Sequence, residues 1–192
     1  MAIGDRIERA VLTYEHYLEL PNDGRRYEIL DGDLYVSAAP SIRHQRASVM
    51  LTTDLSIYAR SNRLGEVFAA PTDVLLANTS IVQPDILYVS RARRGIITPA
   101  NIQGAPDLVI EIISPASTRT DKETKRDLYA RYGVAAYWLL DPIEEWMQGY
   151  TLGDDGRYVL AAAARGSETF AAPPFPDLTI QLAALWDDLS ED

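Results

Sequence analysis

Residues 108–113 read Leu108-Val109-Ile110-Glu111-Ile112-Ile113, an apolar run interrupted by one carboxylate. A nearly continuous apolar run of this length is typical of a β-strand that is buried on both faces. A second run, Ala135-Ala136-Tyr137-Trp138-Leu139-Leu140, follows a helix that the sequence predicts over residues 119–132. A strand, a helix and a strand in this order predict two parallel neighbouring strands joined by a right-handed crossover.

The segments on either side predict further strands and few helices. Before the first run, capping residues predict a short helix after Thr13 and a helix from Ser41 to about Asn62. The Asp-Gly turn predicts a hairpin around Asp31-Gly32. We also predict strands at 66–69, 73–76 and 82–89 and a basic loop at 90–106. After the second run we predict a meander from residue 145, an extended link at 172–176, and a strand and short helix within 178–189. The sequence therefore predicts one domain over residues 1–192, of mixed α/β or α+β class.

The composition excludes several classes of protein. The chain has 192 residues, 47% of them hydrophobic, which is enough for one substantial core. No stretch approaches the roughly 20 uninterrupted apolar residues that span a bilayer, and the charged first residues do not resemble a secretory signal. The absence of cysteine excludes disulfides, a thiol nucleophile and zinc–thiolate sites. We therefore expect a cytoplasmic protein without a membrane segment.

The net charge of −10 is concentrated in the C-terminal quarter. Residues 141–192 contain 11 acidic and 2 basic residues, whereas residues 1–140 contain 17 acidic and 16 basic residues. Phosphate binding draws mainly on Lys and Arg, and the nearly balanced part of the chain can still present a locally positive face. The overall charge therefore neither supports nor excludes a nucleic-acid substrate.

Two carboxylates interrupt apolar strands. Glu111 shares a strand face with Val109 and Ile113 by two-residue alternation, and a carboxylate on a buried face is costly unless it is paired or bound to a metal. Asp85 is the one acid in the apolar segment 82–89. A buried Glu–Arg pair is the alternative for Glu111, and an aspartate at a strand start is the alternative for Asp85. Two such acids in neighbouring core strands indicate a functional site.

The chain has only two lysines, Lys122 and Lys125, among 18 Lys and Arg residues. On a helical wheel the apolar face of helix 119–132 is defined by Leu128, Tyr129 and Tyr132. Lys125 lies near the centre of this face, Asp121 lies at its edge, and Lys122 lies on the flank. Lys125 therefore either makes a local pair with Asp121 or points its ammonium at the strand that carries Glu111. We favour the second interpretation, because Lys125 lies on the side of the helix that faces the sheet.

Six motifs together resemble the Uma-type endonuclease family, which belongs to the restriction-endonuclease-like PD-(D/E)XK superfamily. They are Tyr-Glu-Ile-Leu-Asp-Gly-Asp (27–33), Arg-His-Gln (43–45), Val-Gln-Pro-Asp (82–85), Ala-Pro-Asp-Leu-Val-Ile-Glu-Ile-Ile-Ser-Pro (105–115), Lys-Arg-Asp-Leu-Tyr (125–129) and Gly-Val-Ala-Ala-Tyr-Trp-Leu-Leu-Asp-Pro (133–142). The resemblance runs from about residue 12 to 187. It implies a restriction-endonuclease-like core with a mixed central sheet flanked by helices, an N-terminal helix–hairpin and a C-terminal meander.

The resemblance also assigns roles to residues. Asp85 and Glu111 correspond to the two acids of the superfamily motif, and Ile113 stands where that motif has its lysine. The resemblance implies that Lys125 has taken over that position from the following helix, which agrees with the wheel. Glu28 corresponds to the early glutamate of the family and His44 to its histidine. The family pattern has glutamate where this chain has Asp33 and Ala136.

The expected function is metal-dependent hydrolysis of phosphodiester bonds in DNA, with a homodimer implied by the superfamily. Asp85, Glu111 and Glu28 are the predicted ligands of Mg²⁺ or Mn²⁺. Lys125 is the catalytic ammonium, and the accessory residues are Glu28, His44 and Asp121. Candidate substrate-binding cations are Arg43, Arg119 and Lys122. The alternatives are a non-catalytic binding or regulatory module that retains the nuclease fold, and a serine hydrolase using Ser114, against which the absence of a Gly-x-Ser-x-Gly motif argues.

Overall fold

The computed structural model describes residues 10–115 and 120–186, without the side chains of residues 120–122. The elements of the N-terminal half are α1 (Tyr14–Leu18), β1 (Arg26–Leu30), β2 (Asp33–Ser37), α2 (Ile42–Ser61), β3 (Gly65–Ala69), β4 (Val74–Ala77), β5 (Ser80–Val82) and β6 (Ile86–Ser90). A 3₁₀ helix (Arg91–Ile96), β7 (Ile102–Gln103) and β8 (Leu108–Ile112) follow. The C-terminal half contains a π-helical segment (Thr120–Lys125), α3 (Arg126–Arg131), β9 (Ala136–Asp141), β10 (Trp146–Leu152), β11 (Tyr158–Arg165), β12 (Thr169–Ala172), β13 (Phe175–Gln181) and α4 (Ala183–Trp186).

The larger sheet has six strands in the order β11-β10-β9-β8-β6-β3. Strands β8 and β9 pair in parallel, with Leu108 opposite Ala136 and Ile112 opposite Leu140, whereas the other neighbours pair antiparallel. The predicted parallel pair is therefore confirmed. The crossover between these strands carries the π-helical segment and α3. Residue 119 of the predicted helix 119–132 lies outside the described residues, and of the rest only Arg126–Arg131 is α-helical.

The smaller sheet has five strands in the order β2-β1-β5-β4-β7. The predicted hairpin forms its first two strands, with positive φ at Asp31 (51°) and Gly32 (84°). Positive φ at both central residues is the signature of the type I′ turn, whose twist matches that of the flanking strands. The Asp-Gly pair therefore fixes the register of β1, the strand that carries Glu28.

The predicted strand 82–89 is two strands, and residues 83–85 connect the two sheets. Strand β5 ends at Val82 in the smaller sheet, and β6 starts at Ile86 in the larger one. Pro84 has no backbone N–H and cannot continue a ladder. The chain changes sheets at this proline, and Asp85 lies directly before β6 rather than inside a strand. The alternative interpretation of Asp85, an aspartate at a strand start, describes its position correctly.

Apolar side chains cover both faces of the larger sheet. On one face α2 packs Ala47, Leu51, Leu55 and Ala59 against even-numbered residues of β6 and β8 such as Ile86 and Ile110. On the other face Leu128 and Tyr129 of α3 pack with Leu30, Val109 and Ile113. Glu111 has the parity of the second group, as alternation predicts. It therefore points to the side on which α3 and the smaller sheet lie.

Two segments predicted to be irregular have regular structure. The basic loop 90–106 contains the 3₁₀ helix and β7, which pairs in parallel with β4. The predicted link 172–176 is the turn of the β12–β13 hairpin, which forms a two-stranded sheet separate from the β9-β10-β11 meander. Phe175 is buried there, and Trp138 Nε1 donates a hydrogen bond of 2.8 Å to the Pro173 carbonyl. Tertiary contacts of this kind cannot be inferred from a proline-rich sequence.

No helix of the described part of the chain is long and apolar enough to cross a membrane.

Candidate active site

Lys125 lies between two buried carboxylates. Its Nζ is 2.9 Å from Glu28 Oε2 and 3.1 Å from Glu111 Oε1, and its side chain is only 4% exposed. Glu28 is at the centre of β1 in the smaller sheet, and Glu111 is on β8 in the larger one. The ammonium therefore joins the two sheets, and the structure places it on the side that the helical wheel predicts.

Tyr129, one helical turn after Lys125, also contacts Glu111. Its hydroxyl donates a hydrogen bond of 2.6 Å to the same oxygen, Glu111 Oε1. Burial raises the pKa of the Tyr129 hydroxyl well above its ordinary value, and the charges of Glu111 and Glu28 raise it further. Tyr129 therefore stays protonated and can only donate to Glu111. The sequence marked this tyrosine as part of an apolar face and gave no sign of its polar contact.

Asp85 is held by three donors from three parts of the chain. Its Oδ1 accepts a 2.7 Å bond from Arg26 Nη1, and its Oδ2 accepts a 2.7 Å bond from the backbone N–H of Ile112 and lies 3.2 Å from His44 Nε2. Burial alone would raise the pKa of Asp85, but the His44 hydrogen bond, the Arg26 charge and the Ile112 amide hold it well below its ordinary range. Asp85 is therefore ionised throughout the neutral range.

His44 reaches Asp85 from the first turn of α2. Ser41 caps this helix by accepting a bond from the His44 N–H, which fixes the first turn against the sheet. The His44 ring is mostly buried, and its Nδ1 has no hydrogen-bond partner among the residues that the structure describes. The structure thus brings the predicted accessory histidine to the same carboxylate as Arg26.

Arg26 is a member of this cluster that sequence reasoning missed. It precedes Glu28 by two residues on β1, so both side chains leave the strand on one face. Its guanidinium binds Asp85, and its Nη2 is 3.9 Å from both Glu28 Oε1 and Glu111 Oε2. Burial opposes the charged form, but the carboxylates of Glu28, Asp85 and Glu111 raise the pKa of Arg26 above its ordinary value. The i, i+2 spacing from Glu28 was the available signal.

Glu28 is also held by the segment that connects the two sheets. The backbone N–H of Gln83 donates a 2.8 Å bond to Glu28 Oε1, and the Gln83 side-chain amide donates to Tyr17 (3.0 Å) and Asp73 (2.7 Å). Tyr17 also donates to Asp73 over 2.7 Å. The segment between the two sheets therefore fixes Glu28 through residue 83 and supplies Asp85 two residues later.

The other predicted site residues are not part of this cluster as far as the structure describes them. Arg43 is exposed on α2, next to His44. Arg119 lies outside the described residues, and so do the side chains of Asp121 and Lys122. The predicted Asp121–Lys125 pair and the substrate contacts of Arg119 and Lys122 therefore stay predictions.

The donor chemistry suits a hard divalent cation. One oxygen each from Glu28, Asp85 and Glu111 faces the Arg26 guanidinium, and carboxylate oxygens are the ligands that Mg²⁺ prefers. No group of three or more His, Cys, Asp or Glu side chains in the described ranges is arranged to hold a metal ion as it stands. The three predicted ligands thus converge, but they converge around protein cations. Their assignment to a metal stays a prediction.

A family model matches this chain over residues 14–183; it is Uma2, described as "Putative restriction endonuclease". The chain belongs to the Uma2 family. The predicted family resemblance is therefore confirmed. The match includes every residue of the cluster around Arg26 and Lys125, and it spans both sheets.

A solved structure has the same fold as this Uma2 chain. It is a crystal structure of "a putative nuclease belonging to DUF820" from Anabaena variabilis, with a TM-score of 0.74 and 19% sequence identity, covering 91% of this chain and 97% of that one. At this identity the likeness establishes the fold, and it confirms the predicted mixed α/β class. No match is found among curated proteins.

Proposed function

We propose that this Uma2 chain is an endonuclease that hydrolyses phosphodiester bonds in DNA with the help of Mg²⁺ or Mn²⁺. The observation that carries the proposal is the position of Lys125, whose ammonium lies within 3.1 Å of Glu28 and Glu111 at the point where the two sheets meet. We propose further that residues 1–192 act as one nuclease-like domain. The homodimer and the cytoplasmic location implied by the sequence stay predictions.

In this proposal Glu28, Asp85 and Glu111 hold the divalent cation. When bound, such a cation supplies positive charge for the phosphate oxygens and makes water more acidic. Asp85 is kept ionised by its three donors, and Tyr129 fixes the orientation of the Glu111 carboxylate. These residues keep three anionic oxygens aimed at one region before any ligand arrives, which avoids reorganisation during the reaction.

Lys125 acts on the substrate and on water in this scheme. Its ammonium can donate to a non-bridging oxygen of the scissile phosphate, where negative charge grows during attack, or orient the attacking water. Glu28 and Glu111 hold the ammonium in place, because each stands within ion-pair distance. His44 positions Asp85 through its Nε2. Arg43, Arg119 and Lys122 remain the candidate contacts to the DNA backbone.

Cleavage of supercoiled plasmid tests the proposal. The purified full chain is incubated with plasmid and Mg²⁺ or Mn²⁺, and nicked and linear products are followed over time. We expect Lys125→Ala and Asp85→Ala to lose at least about 100-fold in rate, the size typical of removing a group that stabilises transition-state charge. Arg165→Gln, which removes an exposed arginine on β11, is the matched control. Cleavage that survives in both site variants would refute the assignment.

A non-catalytic binding module is the second candidate, and one observation favours it. The three carboxylates are already accompanied by Arg26 and Lys125, and no metal-holding group is preformed in the described residues. This candidate predicts no heat of Mn²⁺ binding and no cleavage with any metal, for wild type and variants alike. Binding of Mn²⁺ that Asp85→Ala abolishes would exclude it.

A further inference from the structure

Arg26 has a different environment from the other charged residues of the site. Its side chain is 23% exposed, whereas those of Glu28, Asp85, Glu111 and Lys125 are at most 4% exposed. It is the first residue of β1, after the connecting segment 19–25 that follows α1. Arg26 is therefore the one cation of the cluster that borders solvent and can leave without crossing the core.

The carboxylate oxygens are divided between the basic side chains of the site. Lys125 contacts Glu28 Oε2 and Glu111 Oε1, and His44 contacts Asp85 Oδ2. The other oxygen of each carboxylate, Glu28 Oε1, Asp85 Oδ1 and Glu111 Oε2, lies within 3.9 Å of the Arg26 guanidinium. The guanidinium thus stands among one oxygen from each of the three predicted metal ligands.

The N–H groups of the Arg26 guanidinium are poorly satisfied by hydrogen bonds in this position. Its Nε and Nη2 are buried and have no hydrogen-bond partner among the described residues, and the two contacts of Nη2 are as long as 3.9 Å. A buried N–H without an acceptor costs free energy. The planar guanidinium, with its N–H donors in a fixed arrangement, suits a single carboxylate better than three that converge. A compact divalent ion with oxygen ligands matches the same three oxygens better.

We propose that Arg26 is a displaceable internal cation, which occupies the metal position until a divalent ion takes its place. This inference rests on the proposed function, because it assumes that Glu28, Asp85 and Glu111 are metal ligands. Metal binding then requires the Arg26 side chain to move toward solvent. The apparent Kd for metal then equals the intrinsic Kd divided by the fraction of molecules in which Arg26 is already outside the site. Removal of the guanidinium raises that affinity.

Calorimetric titration of the full chain with Mn²⁺ tests this inference without any activity measurement. A minor open state populated at about 1–10% predicts that Arg26→Gln lowers the Kd for Mn²⁺ about 10- to 100-fold. The matched control is Arg25→Gln, which removes the neighbouring exposed arginine and its pair with Asp23. The control should bind Mn²⁺ as the wild type does. Binding by Arg26→Gln where the wild type shows none also supports the inference.

Three outcomes overturn the inference, and they separate it from the proposed function. If wild type and Arg26→Gln bind Mn²⁺ equally, Arg26 does not compete, and the nuclease proposal is unaffected. If a folded Arg26→Gln binds more weakly, Arg26 supports the ligands and does not block them. If no variant binds Mn²⁺, the metal site fails and the inference fails with it.

A measurement on the wild type covers the case in which Arg26→Gln does not fold. The Nε–H of Arg26 is buried, so its NMR signal should be protected from exchange, and comparison with Arg26→Lys assigns it. Saturating Mg²⁺ should increase the exchange rate of this signal, because the side chain then reaches solvent. A protected signal that is unchanged at saturation, with Mg²⁺ binding verified by calorimetry, overturns the inference.

Discussion

Replacement of Lys125 by methionine should destabilise the fold strongly, and the size of the loss follows from the geometry. The ammonium makes ion pairs of 2.9 Å with Glu28 and 3.1 Å with Glu111, and all three side chains are at most 4% exposed. Removing one partner of such a buried cluster leaves an uncompensated charge, which costs about 3–5 kcal/mol. Methionine keeps the length and packing of the chain, so most of the loss is electrostatic.

Urea unfolding measures this loss, and a second variant isolates the charge. In a chain of this size the expected loss lowers the midpoint of thermal unfolding by roughly 6–20 °C. Adding Glu28→Gln to Lys125→Met restores the net charge of the cluster and should recover about 0.5–3 kcal/mol as a coupling energy. The exposed control Arg165→Gln should stay within about 0.5 kcal/mol of wild type. A loss below about 1 kcal/mol for Lys125→Met would refute the buried ammonium.

Three further predictions concern neighbouring features. The pKa of Asp85 is held below its ordinary value of 3.8, so its ionised form stabilises the fold above that pH and this stability is lost as the pH falls. In Asp85→Asn the free energy of unfolding should therefore fall less steeply with decreasing pH below about pH 4. The same pH dependence in wild type and variant would contradict this. Tyr129→Phe removes a 2.6 Å bond to a carboxylate and should cost about 1.5–3 kcal/mol in urea unfolding, so a loss under about 0.5 kcal/mol would argue against that bond. Gly32→Ala and Gly24→Ala both place alanine at positive φ (84° and 80°), at about 1–2 kcal/mol each. A Cβ at residue 32 also overlaps the side chain of Val11, whereas one at residue 24 meets nothing within 4 Å. The first variant should therefore be the less stable of the two, and equal losses would refute the overlap.

Local periodicity predicts the part of the site that lies on regular elements. Alternation along β8 places Glu111 on the face of Val109 and Ile113, and the structure has it there. The wheel places Lys125 over the same face, although the residues before it are π-helical. The agreement has a physical reason: Lys125 is at the junction with α3, where the α-helical spacing to Leu128 and Tyr129 already applies.

The position of Asp85 depends on a change of sheet, which periodicity does not report. Residues 82–89 read as one apolar strand, because both resulting strands are buried. Pro84 was the local signal for a break, since a proline cannot donate to a central ladder. That the break also moves the chain from one sheet to the other depends on the pairing of β5 with β1, which is set by contacts about fifty residues away in sequence.

Arg26 shows why the charge state of the site could not be inferred from the sequence. Its contacts join it to Asp85, 59 residues away, and to Glu111 on the other sheet. Arg26 and Glu28 by themselves look like an ordinary alternating pair on a hairpin strand. Three carboxylates with the cations of Arg26 and Lys125 are nearly balanced in charge, so the cluster can be buried without a metal. In the proposal made above, a divalent ion is not added to this cluster but replaces a positive charge that the fold already supplies, and Arg26 is the cation that borders solvent.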